Sequence, residues 1–227
     1  MMDKIETQKI PKRLLGKTGD VVSILGLGGE GLLRTYGKAK EASSLIHRAI
    51  DLGMTYFESA RAYAGSESYY GIALGERRKE IFLASKSHER TSDGALSHLE
   101  TTLRNMRTDF LDLWMIHDVR TIKDIDQIFG PQGAIKAFES ARRNRLIKWS
   151  LSRGVSIKIF GPDSSENFLR FALSQPVSSI VIGCDSIEQL EINAKVAQTF
   201  RPMTQRDQNI LLEKTRPYAR ELMYYKL

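Results

Sequence analysis

The chain has 227 residues, 41% hydrophobic and 27% charged, enough for one domain with a sizeable core and an ordinary globular balance. Its 34 Lys and Arg against 27 Asp and Glu leave +7, but the bases are scattered, and runs such as Arg77-Arg78-Lys79 and Arg142-Arg143 stand beside acids, which excludes a nucleic-acid stripe and leaves a basic surface suited to an anionic, phosphate-bearing ligand. The lone Cys184 forbids an internal disulfide, the charged first residues lack the apolar stretch of a secretory signal, and no apolar run reaches the ~18 residues of a membrane span, so a cytoplasmic protein is expected.

In chain order, the leader through Arg13 is polar and predicts loose order. Residues 20–28 read as a short buried strand ending in glycines. Residues 41–52 put Leu45, Ile46, Ala49 and Ile50 on one face at helical spacing, and Gly53 ends that helix. Residues 55–57 are the next strand. The same grammar then repeats: helix 67–79, strand 81–85, helix 93–106 with Leu96, Leu99, Leu103 and Met106 on one stripe, strand 110–116, helix 133–145 and a strand from 146 to 149. Strand 155–160, helix 166–173, strand 179–182 and helix 187–199 follow. The tail, 204–225, reads as an amphipathic helix interrupted by Pro217. Such alternation implies parallel strands with crossover helices in one α/β domain over residues 1–227. It does not separate a closed barrel from an open doubly wound sheet.

Several familiar sites are missing. Gly26-Leu27-Gly28-Gly29 is a poor match to the dinucleotide fingerprint, and there is no phosphate loop of the nucleotidase type. His47, His88, His98 and His117 lack metal-ligand spacing, so no metal is expected. What does stand out is a set of four residues at or just past strand ends: Glu58, Tyr63, Lys86 and His117. Parallel α/β folds collect their sites at that edge. Carbonyl reduction needs a hydride donor, an acid for the developing alkoxide and a neutral donor to orient the carbonyl. A tyrosine can be that acid if a cation, itself held by a carboxylate, lowers its pKa. If the three strands are neighbours, the four side chains converge.

The motifs around these residues resemble the aldo-keto reductase family. Arg13-Leu14-Leu15-Gly16-Lys17-Thr18-Gly19 and Ser23-Ile24-Leu25-Gly26-Leu27-Gly28-Gly29 resemble its opening. Phe57-Glu58-Ser59-Ala60-Arg61-Ala62-Tyr63, Leu83-Ala84-Ser85-Lys86 and Asp109-Phe110-Leu111-Asp112-Leu113-Trp114-Met115-Ile116-His117 resemble three later segments in the same order, so the likeness covers roughly residues 12–148. It implies a (β/α)8 barrel of the triosephosphate isomerase type and an oxidoreductase that reduces an aldehyde or ketone, a small-molecule carbonyl, with NADP(H) or alternatively NAD(H). Tyr63 would be the general acid, Lys86 would lower its pKa and His117 would orient the carbonyl. Glu58 stands where the family has Asp, a change expected to alter activity more than abolish it.

The resemblance also implies a cofactor site. Gly28, Gly29 and Glu30 would lie near the nicotinamide, and Lys158, Ile159, Phe160 and Gly161 would form the loop over the pyrophosphate. Gly183, Cys184 and Ser186 would meet the adenosine phosphate at a helix start, with Gln189 and Asn193 toward the adenine. That turn, Gly183-Cys184-Asp185-Ser186, carries an acid and no base, so complementarity to a 2′-phosphate is weak. One departure is larger. The family places a helix, a strand and another helix between the strand at Trp149 and that at Val155, and the five intervening residues cannot span them. Part of the barrel, around strands 5 and 6, is therefore absent near 149–151. The intact motifs on both flanks favour a segment lost from the sequence as read over a truly short chain. A truly short chain would favour a second reading, a nicotinamide-binding regulatory or inactive family member.

Overall fold

A computed structural model describes residues 9–151 and 165–218. Of the leader, residues 9–13 are described, and they are more ordered than its polarity predicts. Strands β1 (Lys12–Leu14) and β2 (Val21–Ser23) form an antiparallel hairpin. Arg13 fixes it to the body, donating to the carbonyls of Val177 (2.8 Å) and Leu173 (3.2 Å). The single strand expected over 20–28 is thereby split: its first part pairs with the leader, and its second, β3 (Leu25–Gly31), enters the main sheet.

The main sheet adds β4 (Tyr56–Glu58), β5 (Phe82–Ser87), β6 (Leu111–Ile116), β7 (Ile147–Leu151) and β8 (Ile180–Cys184). All its pairings are parallel, in the order β7-β6-β5-β4-β3-β8. Each strand from β3 to β7 lies beside the next in sequence, and β8 returns to the free side of β3. A doubly wound sheet carries helices on both faces; here the described helices pack on one face, and the other face packs against its own strands and the hairpin, as inside a barrel. Among the described residues β7 and β8 have no strand between them, so the circuit is partial. The strand expected at 155–160, and with it Lys158, Ile159, Phe160 and Gly161, lies outside the described residues.

Helices cover the outer face: α1 (Ala39–Asp51), α2 (Ser66–Ala73), α3 (Ser92–Met106), α4 (Ile122–Phe129), α5 (Ile135–Arg143), α6 (Ser165–Ser174) and α7 (Ile187–Gln198), while α8 (Gln205–Thr215) lies beside the end of α6, its Gln208 bonded to Gln175. The helix expected over 67–79 is two pieces, α2 and a 3-10 turn over Gly75–Glu80, because Gly75 takes a left-handed φ of 45°. Helix α4 went unforeseen, although Thr121 and Asp124 form a capping box at its start.

Both faces of the sheet are buried, which explains the apolar runs. Outward residues such as Phe57, Leu83 and Trp114 pack with Leu45, Leu99 and Phe138 of the helices. The Trp114 and Phe138 rings stack with centroids 3.8 Å apart. Inward residues Tyr56, Phe82, Ala84, Leu113 and Met115 form a second cluster with Val22 of the hairpin. The hairpin thus plugs one end of the interior, and Trp149 Nε1 donates to Asp20 (2.6 Å) across it. None of the described helices is long and apolar enough to cross a membrane.

Candidate active site

The other end of the sheet, where the strands finish, gathers the chemistry. Glu58 is the last residue of β4 and Lys86 lies near the end of β5; β4 and β5 are paired. Two backbone bonds tie the β4 loop to β5: Ser59 N–H to Ala84 O (2.9 Å) and Arg61 N–H to Lys86 O (3.0 Å). That loop carries Tyr63. His117 follows β6, and its N–H reaches Ser87 O at 2.7 Å.

The four expected residues meet. Lys86 Nζ pairs with Glu58 Oε1, donates to Ser59 O at 3.1 Å and lies 3.5 Å from the Tyr63 hydroxyl. The Glu58 and Lys86 side chains are only 18% and 12% exposed, so the pair is sheltered from solvent screening. The extra methylene of Glu58 does not prevent the pairing. His117 stands edge-on to the Tyr63 ring, with centroids 5.6 Å apart.

Lys86 was expected to lower the Tyr63 pKa. Here burial, and then the charges of Glu58 and Glu30, push the phenol upward, with Arg34 opposing. The ammonium is engaged by Glu58, and the phenol is held firmly protonated. Burial, and then the Lys86 charge, push His117 down to about 4. Its ring is therefore neutral near pH 7, as the orienting role requires.

Gly28 and Gly29 lie in β3. A Cβ on Gly29 would sit 2.3 Å from Ser66 Oγ and 3.0 Å from the Tyr63 ring, so glycine there lets the Tyr63 loop pack against β3. Glu30 accepts both bonds of a fork from Arg34, at 2.9 and 3.0 Å, and the Arg34 guanidinium lies 5.2 Å from the Tyr63 ring centroid. A Cβ on Gly183 would come 2.9 Å from Glu30 Cβ, which brings the end of β8 against the same spot.

The turn before α7 carries the residues expected toward the adenosine phosphate and the adenine. Ser186 caps the helix, accepting from Gln189 N–H at 3.2 Å. The Gln189 side chain accepts from Asp185 N–H at 2.7 Å, and Asn193 Nδ2 lies 4.0 Å from Cys184 Sγ. Both amides are thus turned onto the loop itself. The Cys184 thiol is buried and pushed up to about 11 by burial, leaving only its backbone for a ligand.

Sequence reasoning missed the supports. Glu67 is 2% exposed and accepts from Arg61 (2.7 Å), Ser85 (2.9 Å), Thr102 (2.7 Å) and Asn105 (3.2 Å), joining the Tyr63 loop to β5 and α3. Arg90 donates to His117 O (2.9 Å), Asp118 O (2.7 Å) and Asp124 (3.0 Å). A lone acid in an S-E-S stretch gives no signal of burial, and Arg90 gives none of its targets. The histidine spacing misled as well: His88 and His98 come together, their ring centroids 4.7 Å apart.

With this geometry in view, comparison with known sequences decides the family: the profile of the aldo/keto reductase family matches residues 24–148. The chain belongs to the aldo/keto reductase family. It is 29% identical over 152 residues to an uncharacterized oxidoreductase, YqkF, of Bacillus subtilis, covering 61% of this chain and 47% of that one. It is 31% identical over 111 residues to the methylglyoxal reductase YeaE of Escherichia coli (47% and 39%) and 33% identical over 106 residues to an NADPH-dependent codeinone reductase of Papaver somniferum (42% and 33%). The chain thus spans half or less of the length of these relatives. Two solved aldo-keto reductases share the fold. That of Bacillus halodurans in its holo form has a TM-score of 0.71 at 20% identity, covering 90% of this chain and 96% of that one. That of Klebsiella pneumoniae in complex with NADPH has a TM-score of 0.67 at 16% identity (88% and 92%). The (β/α)8 barrel type, partial in this chain, is therefore the aldo/keto reductase one.

Proposed function

We propose that this family member reduces an aldehyde or ketone with NADP(H), using Tyr63 as the proton donor. One observation carries the reading: the Tyr63 hydroxyl lies 3.5 Å from an ammonium fixed by Glu58, with the neutral His117 ring against its edge. Family membership and the NADPH dependence of the codeinone reductase relative support the cofactor.

The described residues fit a nicotinamide and its substrate at the strand ends. Among them, His117 Nδ1 is buried and without a hydrogen-bond partner, a cost that a bound polar group relieves. When bound, the reduced nicotinamide supplies the hydride to the carbonyl carbon. The chain does the rest. His117 positions the carbonyl oxygen. Tyr63, kept protonated by burial and neighbouring carboxylates, gives its proton to the oxygen as negative charge develops there. Lys86 is placed to stabilise the phenolate left behind, and Glu58 holds Lys86 in position. Gly28, Gly29 and Glu30 would border the nicotinamide, and Gly183, Cys184 and Ser186 would meet the nucleotide phosphate through backbone N–H groups. Asp185 and Glu188 at that turn oppose a 2′-phosphate, so NAD(H) is the alternative cofactor.

The test is NADPH consumption by the purified chain with a panel of small aldehydes and ketones, beside direct titration of NADPH by fluorescence. Steady consumption with at least one carbonyl supports the reading. Saturable NADPH binding with no turnover across the panel would overturn it and leave a nicotinamide-binding, non-catalytic protein.

A further inference from the structure

His88 lies just past the end of β5, Glu89 follows it, and His98 is on the neighbouring helix α3. One ligand atom from each lies within 4.8 Å of the others. We propose that these three side chains bind a divalent transition metal of the zinc class.

The donor chemistry fits. Two imidazoles and one carboxylate suit zinc and its neighbours, whereas magnesium and calcium take oxygen ligands. The separations fit as well. His98 Nε2 stands 3.7 Å from Glu89 Oε1, too long for a hydrogen bond. Two metal bonds of about 2.0–2.2 Å span that gap when they meet at an angle somewhat wider than tetrahedral. His88 is exposed, so its ring has room to close the remaining distance.

The surroundings are organised as metal sites require. Ligating histidines are held by a partner on the second ring nitrogen. Here Ser87 Oγ, fully buried, lies 3.0 Å from His98 Nδ1 and accepts the Glu89 N–H at 3.2 Å, so one hydroxyl sets both ligands. A cavity of about 500 Å³, lined in part by His88, Glu89, Arg90 and Asp126, opens beside them. It gives a metal a route in and leaves room for water as a fourth ligand. The proposal stands whatever carbonyl the Tyr63 group reduces.

The test is titration of the metal-stripped full chain with zinc chloride by calorimetry, and with cobalt chloride by its visible d–d absorption. The expected result is saturable binding that His88→Ala and His98→Asn abolish and His47→Gln leaves unchanged. Ser87→Ala, which keeps all three ligands, should weaken binding by about ten- to a hundredfold. His88 is exposed, so His88→Ala folds and remains decisive if His98→Asn does not. Zinc binding of the same strength in His88→Ala as in the unaltered chain, or no saturable binding in either, would overturn the proposal.

Discussion

Lys86 Nζ lies 3.5 Å from the Tyr63 hydroxyl while the same ammonium is paired with Glu58, so the charge of one residue is shared between an acid that holds it and an acid that it serves. Because Glu58 also raises the Tyr63 pKa, the carboxylate keeps the phenol protonated at rest. Reduction needs that proton, so turnover should persist well above neutrality and fall only as the phenol ionises. Glu58→Gln removes one of the charges pushing the phenol upward. The alkaline limb of kcat/KM should then move to lower pH, whereas Glu58→Asp, which keeps the charge, should leave it nearly in place. Profiles of the two variants against the unaltered chain check this, and a limb that stays put in Glu58→Gln would contradict it.

His117 sets the other limb. Its pKa is pushed down to about 4 from 6.5, first by burial and then by Lys86. Protonation at about 4 removes the neutral ring, so kcat/KM should fall as pH drops through that value. Stability should respond in the same direction. Between 6.5 and 4 the unfolded chain binds this proton and the folded chain does not, so stability held above 6.5 is lost as pH falls toward 4. Urea unfolding across that window should show the slope, and His117→Gln should flatten it.

Glu67 links stability to the site. It is 2% exposed and paired with Arg61, in the loop that carries Tyr63. Breaking a buried pair from one side costs about 3–5 kcal/mol. Glu67→Ala should therefore lose on that order in urea unfolding, and Glu67→Gln, which keeps most of the hydrogen bonds, should lose less. An unchanged midpoint in Glu67→Ala would contradict the ledger of contacts described above.

Much of this was legible in the sequence. Apolar periodicity located the strands and most helices, and the four motif residues could be placed at strand ends because an apolar run there gives way to a polar chemistry-bearing side chain. The barrel type was not legible, since strand adjacency is set by pairing across the chain and the face that each helix covers is set by tertiary packing. Arg13 belonged to a hairpin rather than a loose leader because its partners, Val177 and Leu173, lie far along the chain. The direction of the Tyr63 shift was not legible either, because it is set first by burial of the phenol and then by the Glu58 charge, and burial of a loop side chain is settled only by the folded packing. The local hydrogen bond of Gln189 to Asp185 and the contact of Asn193 with Cys184 were likewise not legible, since both are set by the folded turn.

The measurement that bears most directly on the central claim is turnover of Tyr63→Phe with NADPH and the best carbonyl of the panel, beside NADPH binding by the same variant. General-acid catalysis contributes about 10²–10⁴-fold. Turnover should drop by that order while NADPH affinity and the folded circular dichroism spectrum are kept. Turnover equal to that of the unaltered chain would contradict the assignment of Tyr63 as the proton donor.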